Sequence, residues 1–552
     1  MACTPSGTRT AAVRRTTGFF FSIVVLVLFF GSTGGFGGVS LAPSGAGAGD
    51  EDWTYANHDF SGTRYSPLGQ ITPGNAKRLA KVCTYTFPEA VPSESTPIVS
   101  GGILFLTSTH YTVAIGAADC HVLWTYQWTP RDRDSARANR GAAIANGKII
   151  RGTADDYLIA LDAETGNLLW AKQIADPKEG YFISMPPLVN GDMIYIGPAG
   201  SEQAGSGWVG AFRLNDGEQV WRFNIIPQGD EPGADTWGPD PEVRKHAGGA
   251  LWTPVSFDTE KNLLYVSGGN PAPDYYDDAR PGANLYTNSI IALDAKTGQL
   301  AWYNQFIPHD VHDYDVTHVN PIFQANSRTL IATTGKDGNL RVVDRDTHQV
   351  VYSVPFTGHE NGDVPISTTA IRVCPGILGA DEWNSAAYSP KLGLLVVPSG
   401  DKWCSMIKKD ADPPSVEKAN AGEENYFGGP INNEPLSGAR GRLTGFDAAT
   451  GKERWRYAAP SPLVAGVVVT ASNVVFAGEV GGYFDALDGR SGKVLLHRNM
   501  GDSVQGGIIT YSSNKVQYVA VVSGQGGVLN SKIFPEVIGG SPTVTLFALP
   551  KK

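Results

Sequence analysis

The sequence contains few cysteines and few charged residues for a chain of 552 residues. None of its five cysteines lies in C-x-x-C or C-x-x-C-H spacing, which argues against a zinc ribbon, a redox motif and covalently attached haem. Charged residues make up 18% of the chain, and acidic residues outnumber basic ones by 54 to 44. Because nucleic-acid binding requires basic patches, we expect no nucleic-acid partner.

Long apolar runs are also scarce, and the one pronounced run lies near the N-terminus. Arg9, Arg14 and Arg15 precede an almost unbroken apolar run over residues 19–30, and a tail rich in glycine, serine and alanine follows. This run is too short to span a bilayer and is typical of a secretion signal. The sequence therefore predicts a signal peptide and linker over residues 1–48, a periplasmic or secreted protein, and no stable membrane span after cleavage. An uncleaved anchor is the alternative.

Glycine and proline are abundant, with 66 and 36 residues, and one short pattern recurs along the chain. A β-branched, apolar segment ends in a sequence similar to A-x-D-A-x-T-G, and an aromatic residue usually follows closely. This pattern predicts a hairpin whose turn is Asp-x-x-Thr-Gly and whose aromatic residue packs against the neighbouring unit. The copies are AIGAADCHVLW (114–124), ALDAETGNLLW (160–170), AFRLNDGEQVW (211–221), ALDAKTGQLAW (292–302), VVDRDTHQVVY (342–352), GFDAATGKERW (445–455) and ALDGRSGKVLL (486–496).

The spacing of these copies predicts the fold. Successive copies end 41 to 103 residues apart, and a propeller blade of four short strands needs about 40–50 residues. The longest gap therefore predicts a further blade without the repeat, with a strand pair around residues 386–399. Strands at 518–523 and 543–549 are expected to close the ring with an N-terminal strand. We predict an all-β, eight-bladed β-propeller with tryptophan-docking repeats, formed as a single domain by residues 49–552.

Four cysteines remain after removal of the predicted signal, and they allow three pairings. We favour the disulfides Cys83–Cys120 and Cys374–Cys404, because each pair flanks a single predicted blade. Such bonds agree with an exported protein.

The repeat and the opening sequence DWTYANHDFSGTRYSPLGQIT (52–72) together resemble the quinoprotein alcohol dehydrogenase family. The resemblance covers essentially the whole chain after the signal. It implies a dehydrogenase in which pyrroloquinoline quinone (PQQ) lies flat near the propeller axis, beside a calcium or lanthanide ion.

Three segments are similar to the metal-binding and catalytic motifs of that family. Glu202 in GPAGSEQAG and Asn270 in SGGNPAPDYY match the glutamate and asparagine ligands. Asp313 in PHDVHDYD matches the catalytic base, and Asp315 matches the additional aspartate of lanthanide-dependent relatives. The resemblance thus implies a metal site of Glu202, Asn270, Asp313 and Asp315, an oxygen-only set that a large hard cation prefers.

The resemblance also implies residues that bind the carboxylates of PQQ. Glu94 in SESTPIV is similar to the glutamate at the cofactor edge, and Arg140 in ANRGAA is similar to a carboxylate-binding arginine. Thr153 in RGTADD is expected to bind another carboxylate. Many family members carry two adjacent cysteines just before this arginine, where the present chain has Asp134 and Ser135. The cover of the site is therefore expected to differ.

Four further residues are implied contacts of the quinone ring. Trp237 in ADTWG lies outside the repeat, whose own tryptophans are expected to pack between blades, and Trp237 would provide a flat surface under the ring. Lys336 in TGKDGNL would polarise the quinone oxygens. Trp383 and Asn384 in EWNSAAYSP lie in the last cofactor segment, and either could contact PQQ.

The predicted function is an exported enzyme that oxidises an alcohol-type substrate by hydride transfer to PQQ. Because the chain has no haem motif, a separate c-type cytochrome or another acceptor would take the electrons. The alternatives are a PQQ sugar or polymer-alcohol dehydrogenase and a cofactor-free propeller that acts as a binding scaffold. The acidic region could also be a structural calcium loop. Its histidines His309, His312 and His318 could bind zinc, although zinc hydrolases usually carry H-E-x-x-H on a helix.

Overall fold

The computed structural model describes residues 52–134, 138–383 and 385–551, which fall within one compact unit. The predicted signal peptide and linker over 1–48 and the predicted cofactor contact Asn384 lie outside the described residues, as does Ser135. In the part of the chain that the structure describes, no helix is both long and apolar enough to span a membrane.

The described residues form eight antiparallel sheets of four or five strands. Sheet 1 consists of Ile98–Ser100, Ile103–Thr107, Tyr111–Gly116 and Val122–Gln127. Sheet 2 consists of Ala143–Ala145, Lys148–Gly152, Tyr157–Asp162 and Leu168–Gln173. Sheet 3 consists of Leu188–Asn190, Met193–Ile196, Trp208–Arg213 and Gln219–Asn224. Sheet 4 consists of Ser256–Asp258, Leu263–Ser267, Ser289–Asp294 and Leu300–Gln305.

The remaining four sheets follow along the chain. Sheet 5 consists of Val316–His318, Ile322–Ala325, Arg328–Gly335, Asn339–Asp344 and Val350–Pro355. Sheet 6 consists of Ala387–Ser389, Leu394–Asp401, Arg440–Asp447 and Glu453–Ala459. Sheet 7 consists of Val468–Thr470, Val474–Glu479, Tyr483–Asp488 and Lys493–Asn499, with Tyr65–Ser66 parallel to its first strand. Sheet 8 consists of Ile508–Ser513, Val516–Ser523, Thr543–Ala548 and the N-terminal strand Ala80–Thr86.

Shorter elements join these sheets. An inserted sheet consists of Ile371–Val373, Ser405–Ile407 and Ile431–Asn433, and a parallel pair consists of Ser93–Thr96 and Asn139–Gly141. The described α-helix is Val416–Ala421. The 3-10 helices are Ala76–Arg78, Pro177–Glu179, Ser201–Gln203, Ala234–Trp237, Val243–His246, Asp277–Ala279 and Leu436–Gly438.

The repeat forms the contact between neighbouring sheets. In sheet 2 the Asp162 carboxylate accepts hydrogen bonds from the backbone N–H and the hydroxyl of Thr165, which closes the turn. Trp124 of sheet 1 packs against this turn and donates its indole N–H to the Ala163 carbonyl at 3.1 Å. A Cβ on Gly166 would lie 2.6 Å from the Trp124 ring, so the turn requires glycine at this position. The docking role predicted for the repeat aromatic is therefore observed.

The all-β propeller class is confirmed, whereas the blade without the repeat was misplaced. The strands Ala387–Ser389 and Leu394–Asp401 pair into the same sheet as the copy at 445–455 and form no separate blade. The long gap instead contains the inserted sheet and the α-helix. The sheet without the repeat is sheet 8, which the N-terminal strand Ala80–Thr86 completes as expected. The number of blades stays a prediction, with which the eight described sheets agree.

Both predicted disulfides are present, although one of them connects elements in an unexpected way. Cys83 lies in the N-terminal strand of sheet 8, and Cys120 follows the third strand of sheet 1, so this bond joins neighbouring sheets rather than flanking one. Cys374 and Cys404 are bonded next to two strands of the inserted sheet.

Sheet 7 contains two buried carboxyl groups that lie next to each other. Glu479 accepts hydrogen bonds from the hydroxyls of Tyr457 and Ser461, and the Asp485 carboxylate lies 2.7 Å from Nδ1 of His497. Burial, followed by the hydrogen bond with Asp485, raises the pKa of Glu479 to about 8. Glu479 therefore keeps its proton in the folded protein at pH values where the unfolded chain releases it.

This raised pKa predicts a pH-dependent stability. The stabilising contribution of Glu479 to the free energy of unfolding is fully present at pH values below the ordinary pKa of a glutamate. It is lost as the pH rises through about 8. We expect Glu479→Gln to raise the free energy of unfolding by about 1–3 kcal/mol at about pH 9 and to change it little at about pH 5. Urea unfolding at both pH values measures this, with the exposed Glu453→Gln as the control. An equal effect at the two pH values would contradict the raised pKa.

Candidate active site

The described residues enclose a cavity of about 360 Å³. Its volume lies within the range of about 300–1,000 Å³ that is usual for small-molecule sites. Its charged lining residues are Glu94, Arg140, Glu202, Asp313, Asp315, Lys336 and Glu382. Six of these seven were predicted from sequence motifs, and the fold brings them together from segments that are far apart in the chain.

The loop before sheet 5 places Asp313 in this cavity. The two carboxylate oxygens of Asp310 accept the backbone N–H groups of His312 at 3.0 Å and Tyr314 at 2.8 Å, which fixes the loop on either side of Asp313. Asp313 itself has a φ of 61°, in the left-handed region that non-glycine residues seldom adopt. Its side chain is buried.

Lys336 is the cation of this acidic region. It follows the long strand Arg328–Gly335, and its Nζ lies 2.9 Å from Oδ1 of Asp313 and 2.9 Å from Oδ2 of Asp315. Burial alone would lower the pKa of Lys336, but the charges of the two carboxylates raise it above the ordinary value. Lys336 is therefore a fixed positive charge at the cavity wall.

A third aspartate, which the motif comparison did not single out, joins the acidic cluster. Oxygen atoms of Glu202, Asp274 and Asp313 lie within 4.8 Å of one another. Asp274 is 1% exposed, and neither of its carboxylate oxygens has a hydrogen-bond partner among the described residues. Burial, followed by the charge of Asp313, raises the pKa of Asp274 well above the ordinary value. The only sequence signal was its position four residues after Asn270.

Asn270 and Asp315 lie beside this cluster. The backbone N–H of Asn270 donates to Oδ1 of Asp315 at 2.7 Å, and Oδ2 of Asp315 faces Lys336. The structure therefore brings all four predicted metal ligands into one region. Asp315 is paired with Lys336, while Asp274 belongs to the set of closely spaced carboxylates.

Glu94 and Arg140 form a second charged group in the cavity lining. The parallel pairing of Ser93–Thr96 with Asn139–Gly141 places the two side chains next to each other, 2.7 Å apart between Nη2 and Oε2. Glu94 also accepts the backbone N–H of Gly527, and Arg140 donates to the hydroxyl of Ser184 at 2.7 Å. Ser184 was not predicted from the sequence.

Two tryptophan rings lie next to the Arg140 guanidinium, at 5.0 Å for Trp252 and 5.5 Å for Trp383. Both rings line the cavity, as predicted for Trp383. Trp252 was missed, although it lies outside the repeat in GGALWTP, the same criterion that favoured Trp237. It also lies 5.7 Å from Nζ of Lys336.

The structure places Trp237 and Thr153 away from the cavity lining, which corrects both expectations. The Trp237 ring is fully buried with Ile226 and Ala247, and its indole N–H donates to the Leu285 carbonyl. The ring is thus used for packing within its own loop. The Thr153 hydroxyl donates to Oδ1 of Asp155 at 2.7 Å and is likewise buried.

Glu382, next to Trp383, is a further cavity residue that was not predicted. Burial raises its pKa to about 8, with Lys336 acting in the opposite direction.

The inserted sheet and the loop after its first strand contribute to the cavity lining. Ile377 and Leu378 follow the disulfide-bonded Cys374, and Ile431 and Asn433 belong to the third strand of this sheet. Part of the lining therefore comes from the segments that connect sheet 5 to sheet 6 and that interrupt sheet 6. The carboxylate of Asp134, which precedes Arg140 in the chain, lies 2.7 Å from Nε2 of His110.

Comparisons with known proteins agree with this architecture. The family model described as "PQQ: Glucose/ethanol/alcohol dehydrogenase, beta-propeller domain" matches residues 53–366. A model of the outer membrane protein assembly factor BamB matches the shorter segment 432–532. The chain is 31% identical over 520 residues to a quinoprotein alcohol dehydrogenase of Pseudomonas putida, covering 85% of each chain. It is also 31% identical to the lanthanide-dependent methanol dehydrogenase of Methylacidiphilum fumariolicum, covering 86% of this chain and 85% of that one.

Solved structures show the same fold. A europium-containing methanol dehydrogenase superposes with a TM-score of 0.81 at 26% identity, covering 91% of this chain and 98% of that chain. The quinohemoprotein alcohol dehydrogenase of Comamonas testosteroni superposes with a TM-score of 0.82 at 28% identity, covering 91% and 81%.

The sheets and the acidic cavity define the chain as a β-propeller with an enzyme-like site. It belongs to the family of PQQ-dependent glucose, ethanol and alcohol dehydrogenases, which are oxidoreductases. The predicted family, enzyme class and PQQ cofactor are thereby confirmed.

Proposed function

We propose that this protein is an exported, PQQ- and metal-dependent dehydrogenase that oxidises an alcohol. The proposal is based on the observation that one cavity is lined by Asp313, Lys336, Glu202 and Arg140. A cofactor-free scaffold would have no need to bury such a set of charges together, because each buried charge costs free energy unless it is paired.

The donor set fits a large, hard cation. Glu202, Asp274 and Asp313 offer closely spaced carboxylate oxygens, and both oxygens of Asp274 are buried without a partner among the described residues. Calcium and lanthanide ions prefer such oxygen ligands, whereas zinc prefers nitrogen and sulfur. The named relatives include a lanthanide-dependent enzyme, which supports a calcium or lanthanide ion here.

The rest of the cavity fits a flat, multiply charged quinone. Arg140 would bind a carboxylate of PQQ, since guanidinium groups bind carboxylates in a bidentate manner. Trp252 would supply the flat surface under the quinone ring, with Trp383 nearby. Lys336 would hold a positive charge near the quinone oxygens. When bound, PQQ and the metal supply a two-electron acceptor and a Lewis acid.

Asp313 is the proposed general base. Its carboxylate would take the proton of the substrate hydroxyl. Burial raises the pKa of Asp313, and the charge of Lys336 and its hydrogen bond act in the opposite direction. Asp310 orients the loop on both sides of Asp313, and the apolar lining residues Ile377 and Leu378 would limit the access of water.

Export and electron transfer complete the proposal. Residues 1–48 would direct the chain out of the cytoplasm, and residues 49–552 would form the single PQQ-binding domain. The two disulfides support an oxidising compartment such as the periplasm. A separate c-type cytochrome or another acceptor would take the electrons, which agrees with a related 1-butanol dehydrogenase whose name includes cytochrome c.

Reconstitution tests the function directly. The full chain is supplied with PQQ and either calcium or lanthanum, and dye reduction is measured with alcohols, aldoses and polyvinyl alcohol. We expect activity that requires both PQQ and a metal, with the highest kcat/KM for a small alcohol. Preference for an aldose or the polymer would reassign the substrate class. Failure of the protein to bind PQQ would refute the proposal.

A further inference from the structure

Asp274 carries a buried carboxylate that accepts no hydrogen bond from any described residue. Its side chain is 1% exposed, and its two oxygens have no hydrogen-bond partner among the described residues. One of these oxygens lies within 4.8 Å of oxygens of Glu202 and Asp313. Burying three carboxylates so closely costs several kcal/mol unless a cation lies between them.

The two nearby basic side chains are used elsewhere. Lys336 pairs with Asp313 and Asp315. The fully buried Arg280 donates to the carbonyls of Pro273, Asp274 and Asp310 and to the side chain of Asn284. Arg280 therefore ties the backbone of the Asp274 segment to the loop before Asp313, and none of its hydrogen bonds goes to the Asp274 carboxylate.

The charges around the cluster determine which cation would balance them. Glu202, Asp274, Asp313 and Asp315 carry four negative charges when ionised, and Lys336 provides one positive charge. A trivalent cation would balance more of this negative charge than a divalent cation would. Because the Coulomb energy is proportional to the ionic charge, each additional carboxylate stabilises a trivalent ion about 1.5 times as much as a divalent one.

We propose that Asp274 is a direct ligand of the metal ion and that its charge shifts the site towards trivalent lanthanides over calcium. This inference rests on the proposed function only for the presence of a metal in the cavity. It adds a fourth carboxylate to the set that the family motifs imply.

Metal binding without PQQ tests the proposal. Isothermal titration calorimetry measures the Kd of La³⁺ and of Ca²⁺ for the full wild-type chain and for Asp274→Asn. We expect the variant to weaken La³⁺ binding by about 10–100-fold. The loss in log Kd for La³⁺ should be about 1.5 times the loss for Ca²⁺. The control is Asp156→Asn, which removes another buried carboxylate that has no hydrogen-bond partner within the described part of the chain and lies outside the cavity lining. It should leave both Kd values unchanged.

Thermal unfolding separates a ligand from a structural residue. Without metal, Asp274→Asn should raise the Tm or leave it unchanged, because it removes a buried carboxyl group that lies beside Asp313 and Glu202 and has no hydrogen-bond partner among the described residues. With saturating La³⁺, the stabilisation of the variant should be smaller than that of the wild type. Asp274→Glu retains the carboxylate and should bind La³⁺ more tightly than Asp274→Asn. This comparison tests whether the weaker binding of Asp274→Asn comes from the lost charge or from the introduced amide.

Two results would overturn the proposal. One is an unchanged La³⁺ Kd in a folded Asp274→Asn variant, and the other is an equal loss of affinity for La³⁺ and Ca²⁺. These results are independent of alcohol oxidation. If the wild type binds La³⁺ through Asp274 but reduces no dye with any alcohol, the proposed function is refuted. The assignment of Asp274 as a metal ligand is then still supported.

Discussion

Asp313→Asn is expected to lower kcat by about 10²–10⁴-fold, because the amide cannot accept the proton of the substrate hydroxyl. The side chain keeps its size, and one amide oxygen can still face the cluster with Glu202. PQQ binding should therefore persist and can be followed by its absorbance. Steady-state dye reduction with a saturating alcohol measures kcat.

The control for this substitution is Asp485→Asn, a buried carboxylate in sheet 7 that does not line the cavity. It should leave kcat within about twofold of the wild type, since it contacts none of the reacting groups. Unchanged turnover in a PQQ-loaded Asp313→Asn variant would refute the assignment of the base.

Lys336→Met is expected to lower kcat by about 10²–10³-fold, the usual cost of removing a positive charge or donor that stabilises developing negative charge. Lys336 pairs with two carboxylates at 2.9 Å, so the substitution also leaves both carboxylates without their cation. In the metal-free protein this should lower the free energy of unfolding by about 3–5 kcal/mol. Added metal should restore much of that loss, because the cation would then balance the same carboxylates.

Lys409→Met provides the matched comparison. Lys409 also pairs with two carboxylates, those of Asp277 and Asp278, at 2.9 and 2.7 Å, and it lies outside the cavity lining. It should change kcat little and should show no restoration by metal. If the two variants lost the same fraction of kcat, the effect of Lys336 would be structural.

Sequence motifs predicted most of the charged site. Glu94, Arg140, Glu202, Asp313, Asp315 and Lys336 all line one cavity, as the family resemblance implied. Charged groups of this kind lie in short, distinctive segments that can be recognised locally.

The misplaced predictions concern residues whose role depends on packing. Trp237 and Trp252 both lie outside the repeat, and only their surroundings distinguish them: Trp237 packs on Ile226 and Ala247, whereas Trp252 lines the cavity. Asp274 carries no local signal either, since a single aspartate after proline is common. Its importance follows from the proximity of Glu202, which is distant in the chain.

The same distinction applies to the fold. The repeat by itself determined the docked hairpins, since Asp162, Thr165 and Gly166 form their turn from local hydrogen bonds and a glycine conformation. Which strands share a sheet was decided only by long-range pairing. The strand pair around 386–399 pairs with Arg440–Asp447, although an insertion separates them in the chain. The disulfide Cys83–Cys120 likewise connects sheet 8 with sheet 1.

The sequence alone therefore determined the propeller class, the cofactor family and the charged residues of the site, because these depend on short motifs with fixed local geometry. The tertiary structure alone decided that Trp252 lines the cavity, that residues of the inserted sheet line it too, and that Asp274 joins the acidic cluster. These features depend on distances between segments that are far apart in the chain, and such distances are set by the packing of whole sheets.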